Sequence, residues 1–210
     1  MTRMLLNTPL LRSTTLALAG LALVGPLLGG CAPLLVGGAV MGTGLVVTDR
    51  RTSGTQVEDQ GIELKALGRV RDAVGERGHI NVTCYNRMAL ITGEVQSDAD
   101  REKVEAAVTS IENVRATVNE LAVVGASSVT ARLNDEVLAS KVKATFIDAK
   151  DVQANAFKVV GERSNIYLMG RVTEREAARA AELARAVPGV AKVIRVVELV
   201  SENELAGKTR

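Results

Sequence analysis

One stretch occurs twice in this chain, and that repetition limits what it can fold into. Ala89 to Arg101 reads ALITGEVQSDADR and Ile166 to Ala178 reads IYLMGRVTEREAA; each is an apolar run, a glycine (Gly93, Gly170), a charged residue, a valine (Val95, Val172), a helix cap and a charged helix. The glycines lie 77 residues apart, and the same offset pairs Ile80 with Phe157 and Val82 with Val159. Further on, Val114–Val124 resembles Val190–Val200 at an offset of 76. Chance similarity between valine-rich strands does not keep order across three elements. The chain therefore reads as two tandem copies of a unit of roughly 65 to 70 residues, which decides for two small domains over one large one.

Composition narrows the function classes. A net charge of +2 with acids and bases intermixed gives no electrostatic footprint for nucleic acid, so none is expected as a partner. Aromatics make up 2% of residues and tryptophan is absent, which excludes base-stacking platforms and aromatic ligand cages and leaves two aliphatic cores.

The first thirty residues have the layout of a secretory signal. Arg3 and Arg12 precede the apolar run Leu16–Leu28, and Gly29, Gly30 and Cys31 follow it. The run is shorter than the roughly 20 apolar residues of a bilayer span, and Gly20, Gly25 and Pro26 interrupt it. Leu28, Gly29, Gly30 and Cys31 resemble a lipobox, with cleavage leaving Cys31 as an acylated N-terminus; Ala32, in place of an aspartate, points to the outer membrane. Residues 31–60 are then expected to be a lipidated N-terminus and flexible tether, with Arg50 and Arg51 in a solvated linker or at lipid headgroups. Residues 61–125 and 126–201 are the two domains, and 202–210 a disordered tail.

From Ile62 a helical period places Ile62, Ala66, Val70 and Ala73, with Leu67 and Val74, on one side. Gly75 and Gly78 stop that helix. Ile80–Tyr85 and Met88–Val95 form a hairpin through Asn86 and Arg87. Ser97 with Asp100, and Thr173 with Glu176, are capping boxes or close variants opening the next helices. Val104, Val108 and Ile111 supply the buried stripe of one; Ala177, Ala180, Ala181, Ala184 and Val187 supply that of the other. A valine-rich final strand follows each. The fold class is α+β, each unit running helix, strand, strand, helix, strand, with a three-stranded sheet covered by two helices.

This order resembles the BON domain of bacterial envelope proteins, on Arg51–Asp59 (RTSGTQVED), Ile80–Tyr85 (INVTCY), Tyr167–Glu176 (YLMGRVTERE) and Val187–Val190 (VPGV). The resemblance implies a non-catalytic periplasmic lipoprotein on the outer membrane that binds anionic phospholipid through its second BON domain and supports envelope integrity. The alternative is a protein-interaction adaptor for an envelope assembly or division-site machinery.

No catalytic constellation is legible. His79 is the only histidine, its counterpart is Ala156, and no GxSxG occurs. With two cysteines, one of them acylated, and one histidine, a zinc site of the usual ligands is not expected, nor is a cofactor. Cys84, in phase with Ile80 and Val82, is expected to be a buried, unreactive thiol.

The helix opening the second copy, from Asn134 to about Ile147, carries Leu138, Val142 and Phe146 on its core stripe. A second stripe of Leu133, Val137, Ala144 and Ile147 lies almost opposite, bordered by Lys141 on one side and by Ser140 and Lys143 on the other. The first-copy helix shows no such second stripe. Leu133 before a cap at Asn134 is open to a staple with Leu138, and domain–domain packing competes with lipid contact for the stripe. An apolar strip flanked by lysines suits a shallow contact with an anionic bilayer, and the family resemblance points to the same helix. Leu133, Val137, Lys141, Lys143 and Ala144 are the candidate phospholipid-binding residues.

Overall fold

The computed structural model describes residues 49–207, and residues 46–210 form one compact unit. The signal segment, Cys31 and the chain up to residue 48 lie outside the described residues. No helix among the described residues is long and apolar enough to cross a membrane.

The first copy runs α1 (Ser53–Val74), β1 (Gly78–Tyr85), β2 (Met88–Val95), α2 (Asp98–Thr109), β3 (Ala116–Asn119) and β4 (Ala122–Val123). The second runs α3 (Val129–Asp148), β5 (Phe157–Glu162), β6 (Asn165–Val172), α4 (Glu174–Arg185) and β7 (Lys192–Leu199), followed by α5 (Glu202–Gly207). In each sheet a hairpin pairs antiparallel, and the last strand returns parallel to the hairpin's second strand across a helical crossover. The expected element order holds in both copies.

The hairpin turns place Asn86 and Arg87, and again Arg163 and Ser164, at positive φ, as the tight primed turns require. The repeated glycine also has a geometric cause. A Cβ on Gly93 would lie 2.0 Å from the His79 carbonyl oxygen, and one on Gly170 would lie 2.5 Å from that of Ala156, the residue 77 positions on. Both positions need a bare backbone because the facing strand passes too close for a side chain.

Each copy has its own aliphatic core. Ile62, Ala66, Val70 and Val74 of α1 and Val104 and Val108 of α2 close over Cys84, Ala89, Ile91 and Val95. Leu138, Val142 and Phe146 of α3 and the four buried alanines of α4 close over Ile166, Leu168 and Val172, with the Phe146 and Phe157 rings 5.5 Å apart. Small alanine side chains let α4 lie close on its sheet.

The other face of each sheet is covered by the other domain. Tyr85 and Leu90 pack with Tyr167, Met169 and Val196 in a third apolar cluster, joined by Met88, Val118, Val160 and Ile194. Polar links surround it: Lys158 donates to Glu63 Oε1 at 2.7 Å and to the Cys84 carbonyl at 3.2 Å, while Asn86 reaches Glu198.

Several boundaries differ from the sequence reading. Residues 53–60 belong to α1, capped by the Thr52 hydroxyl on the Thr55 N–H, so the segment expected to be a linker is helical there. α3 starts at Val129 under a Ser128 cap, which puts Leu133 and Asn134 inside the helix and excludes the Leu133 staple before an Asn134 cap. The first copy's final strand breaks at Glu120–Leu121, where Leu121 turns into the core and its N–H donates to the Asn119 side chain. Leu67, expected on the buried side of α1, is 59% exposed; with Val57 and Leu64 it gives the first-copy helix exposed apolar positions that the sequence reading denied it. Residues 202–207 of the expected disordered tail form α5, tied back by Arg171 to Glu204.

Candidate functional site

Helix α3 presents two faces. Leu138, Val142 and Phe146 are buried, whereas Val129, Leu133, Val137 and Ile147 are 69%, 61%, 53% and 67% exposed. At about 100° per residue these four, with Ala144, fall within one quadrant of the helix. Leu133, Glu136, Val137, Ser140, Lys141 and Ala144 line a shallow apolar concavity. A second shares Lys141 and Ala144 and continues the apolar surface onto Leu183 of α4 and onto Val187 and Pro188 just after that helix. The sequence reading missed that extension, because Leu183 and Pro188 join the strip only through tertiary packing. None of the exposed α3 residues belongs to the apolar cluster between the sheets.

The candidate residues do not all converge. Leu133, Val137, Lys141 and Ala144 share the strip. Lys143 points elsewhere, its ammonium donating to the Ala154 and Phe157 carbonyls at 2.9 Å each. Burial lowers its pKa, with Asp49 opposing. Lys143 therefore fastens the loop after α3 and lines an interdomain groove of about 510 Å³ with Asp49, Arg51 and Tyr85.

Arg50 and Arg51 are structural clamps where a solvated linker or lipid contact was expected. Arg50 forks onto Glu176 at 2.7 and 2.8 Å and also donates to the Arg171 carbonyl, so the chain before α1 is bound to the start of α4. The Arg50 hydrogen bonds hold the Glu176 carboxyl down at about 2. Arg51 pairs with Asp49 and the buried Asp59 and lies over the Tyr85 ring, 4.2 Å from its centroid. Cys84 is a free thiol, fully buried as expected; burial first, and Asp59 next, push its pKa up.

Another cluster was illegible in the sequence. His79 of β1 faces Glu94 of β2 across the ladder, and Glu162 comes to them from the end of β5. The His79 Nδ1 lies 3.7 Å from Glu94 Oε2. Burial, then Arg132, lower the His79 pKa against the pull of Glu94. Burial raises that of Glu162, with Glu94 adding to the shift.

The BON-domain family model matches residues 59–125 and 134–201. The chain belongs to the BON-domain family. Each match covers one helix–hairpin–helix–strand copy and leaves out the first residues of α1 and α3. The chain is 34% identical over 170 residues to the outer membrane lipoprotein DolP of Haemophilus influenzae, covering 80% of this chain and 87% of that protein. It is 31% identical over 154 residues to a 21 kDa hemolysin of Actinobacillus pleuropneumoniae, covering 72% and 79% respectively. Both alignments are long enough to include residues from each BON domain.

Proposed function

We propose that this BON protein is a non-catalytic lipoprotein of the outer membrane, anchored through acylated Cys31 and facing the periplasm, whose second BON domain docks on anionic phospholipid in support of envelope integrity. The observation that carries the reading is the α3 strip: Val129, Leu133, Val137, Ala144 and Ile147 stand exposed in line beside Lys141, while the two domains pack through their sheets. The name of the DolP relative supports the envelope setting and the anchor.

The magnitudes suit a tethered contact. Fully burying one large aliphatic side chain contributes about 1.5–3 kcal/mol, and a lysine near anionic headgroups about 1 kcal/mol. Glu136 at the edge of the strip subtracts from that, so the free domain binds weakly. Residues 32–48 span at most about 60 Å, and a short linker of this kind gives an effective concentration on the order of millimolar. Weak contact then suffices.

The test is co-sedimentation of the chain lacking residues 1–45 with vesicles of graded anionic content and no other protein present. Binding that rises with anionic fraction and falls with salt is the expected result. No binding at any composition would remove the lipid reading. The second reading, a protein-interaction adaptor, draws on the exposed Val57, Leu64 and Leu67 of α1. Site-specific crosslinkers at Leu64 and Val137 in intact cells separate the two, since an adaptor crosslinks to protein through Leu64 and a lipid-docking face crosslinks to lipid through Val137.

A further inference from the structure

His79, Glu94 and Glu162 play no part in the lipid contact, yet two of them are carboxylates buried in the fold. Glu94 is 0% and Glu162 3% exposed. His79 Nδ1, Glu94 Oε1 and Glu162 Oε1 are all buried without a hydrogen-bond partner. The second oxygen of each carboxylate is occupied: Glu94 Oε2 accepts from the Ser127 N–H and hydroxyl at 3.2 Å each, and Glu162 Oε2 accepts from the Asn81 amide at 3.2 Å. Arg163 comes only to 3.9 Å from Glu94 Oε1. Buried carboxylates and an imidazole nitrogen left in this way each cost free energy.

One ligand atom from each of the three residues lies within 4.8 Å of the other two. Tetrahedral coordination at about 2.0–2.1 Å sets neighbouring donors about 3.3 Å apart, so small side-chain rotations close the shell. We infer that His79, Glu94 and Glu162 form a binding site for a divalent transition cation of the zinc class. One imidazole nitrogen with two carboxylates favours zinc over magnesium or calcium, whose sites are built from oxygen alone. The cation neutralises the buried carboxylate pair and gives a common partner to three residues that each bury an unpartnered polar atom, and a water completes the shell. His79 and Glu94 belong to the first BON domain and Glu162 to the second. The metal therefore staples the two domains across their interface, and three protein ligands with one water make a four-coordinate shell that needs only the single histidine.

The inference does not depend on lipid binding. The test uses the untagged full chain, purified in detergent, stripped with a chelator and titrated with ZnCl2 in a non-coordinating buffer by calorimetry. One equivalent per chain with micromolar or tighter affinity is expected, together with visible Co2+ absorption of a four- or five-coordinate site. His79→Ala and the near-isosteric Glu162→Gln are each expected to weaken binding at least 30-fold and to abolish the Co2+ spectrum, with unchanged far-ultraviolet circular dichroism. Absence of stoichiometric zinc binding in the unmodified chain, as when the two carboxyls share a proton, overturns the site. So does binding that survives in both variants.

Discussion

Asp59 and Asp135 hold the same position in the two BON domains. Each is a buried helix carboxylate that accepts both backbone N–H groups of its own hairpin turn, Asp59 those of Asn86 and Arg87 at 2.7 Å each, Asp135 those of Arg163 and Ser164 at 2.8 Å each. The turn's left-handed residues direct their N–H groups at the helix packed on that sheet, which supplies the acceptor. Asp135→Ala leaves two part-buried turn donors without their acceptor and is expected to cost about 2 kcal/mol; Asp135→Asn keeps one acceptor and loses less. Urea unfolding measures both, and equal stability of Asp135→Ala and wild type would contradict the role.

Gly93 combines φ of 113° with a Cβ position 2.0 Å from the His79 carbonyl oxygen. Gly93→Ala is expected to cost about 3 kcal/mol or more, since neither the left-handed backbone nor the facing strand can yield cheaply. Gly170→Ala meets only the second penalty, so its loss in urea midpoint should be smaller.

The Arg50–Glu176 pair gives a pH signature. The Glu176 carboxyl sits at about 2 in the folded protein, below its ordinary 4.5. A depressed carboxyl stabilises the fold above its unfolded pKa, and that contribution is lost as pH falls from about 4.5 toward 2. Glu176→Gln should therefore be less stable than wild type at pH 7, with the difference closing by about pH 2 in denaturant titrations. A difference constant across that window would show that the pairing with Arg50 does not matter.

Leu90 is fully buried in the cluster that joins the two sheets. Leu90→Ala is expected to cost about 3 kcal/mol. Leu90→Asp should go further and split the single unfolding transition into two by calorimetry, one per domain. A single transition retained in Leu90→Asp would mean that the domains are coupled elsewhere.

The local elements were legible because they depend on local periodicity and capping. The alanine stripe of α4, the Phe146 stripe of α3 and the Asn86–Arg87 turn all follow from residues within a few positions of one another. The sheet-to-sheet packing left only a weaker signal. Met88–Ile91 and Ile166–Met169 are continuous apolar runs rather than alternating ones, the mark of strands covered on both faces. Arg50 and Glu176 lie 126 residues apart, and nothing in the polar stretch around Arg50 marks it as a clamp. In the same way Glu94 reads as a solvated charge beside Gly93 until the second domain closes over it. Of the lipid-contact candidates, the exposed strip was visible as a helical stripe, but Lys143 was misassigned because the carbonyls it serves belong to the loop that follows α3.

The central claim is that the strip on α3 meets lipid, and Val137→Glu tests it most directly because Val137 is 53% exposed and supports no core. The measurement is the partition of this variant onto anionic vesicles beside wild type and Lys141→Glu, with thermal unfolding as the control for folding. The account predicts an unchanged unfolding temperature and at least about a 10-fold loss of binding in each variant, since the substitution removes apolar contact in one and reverses a charge worth about 1 kcal/mol in the other. Binding equal to wild type in both variants would contradict it.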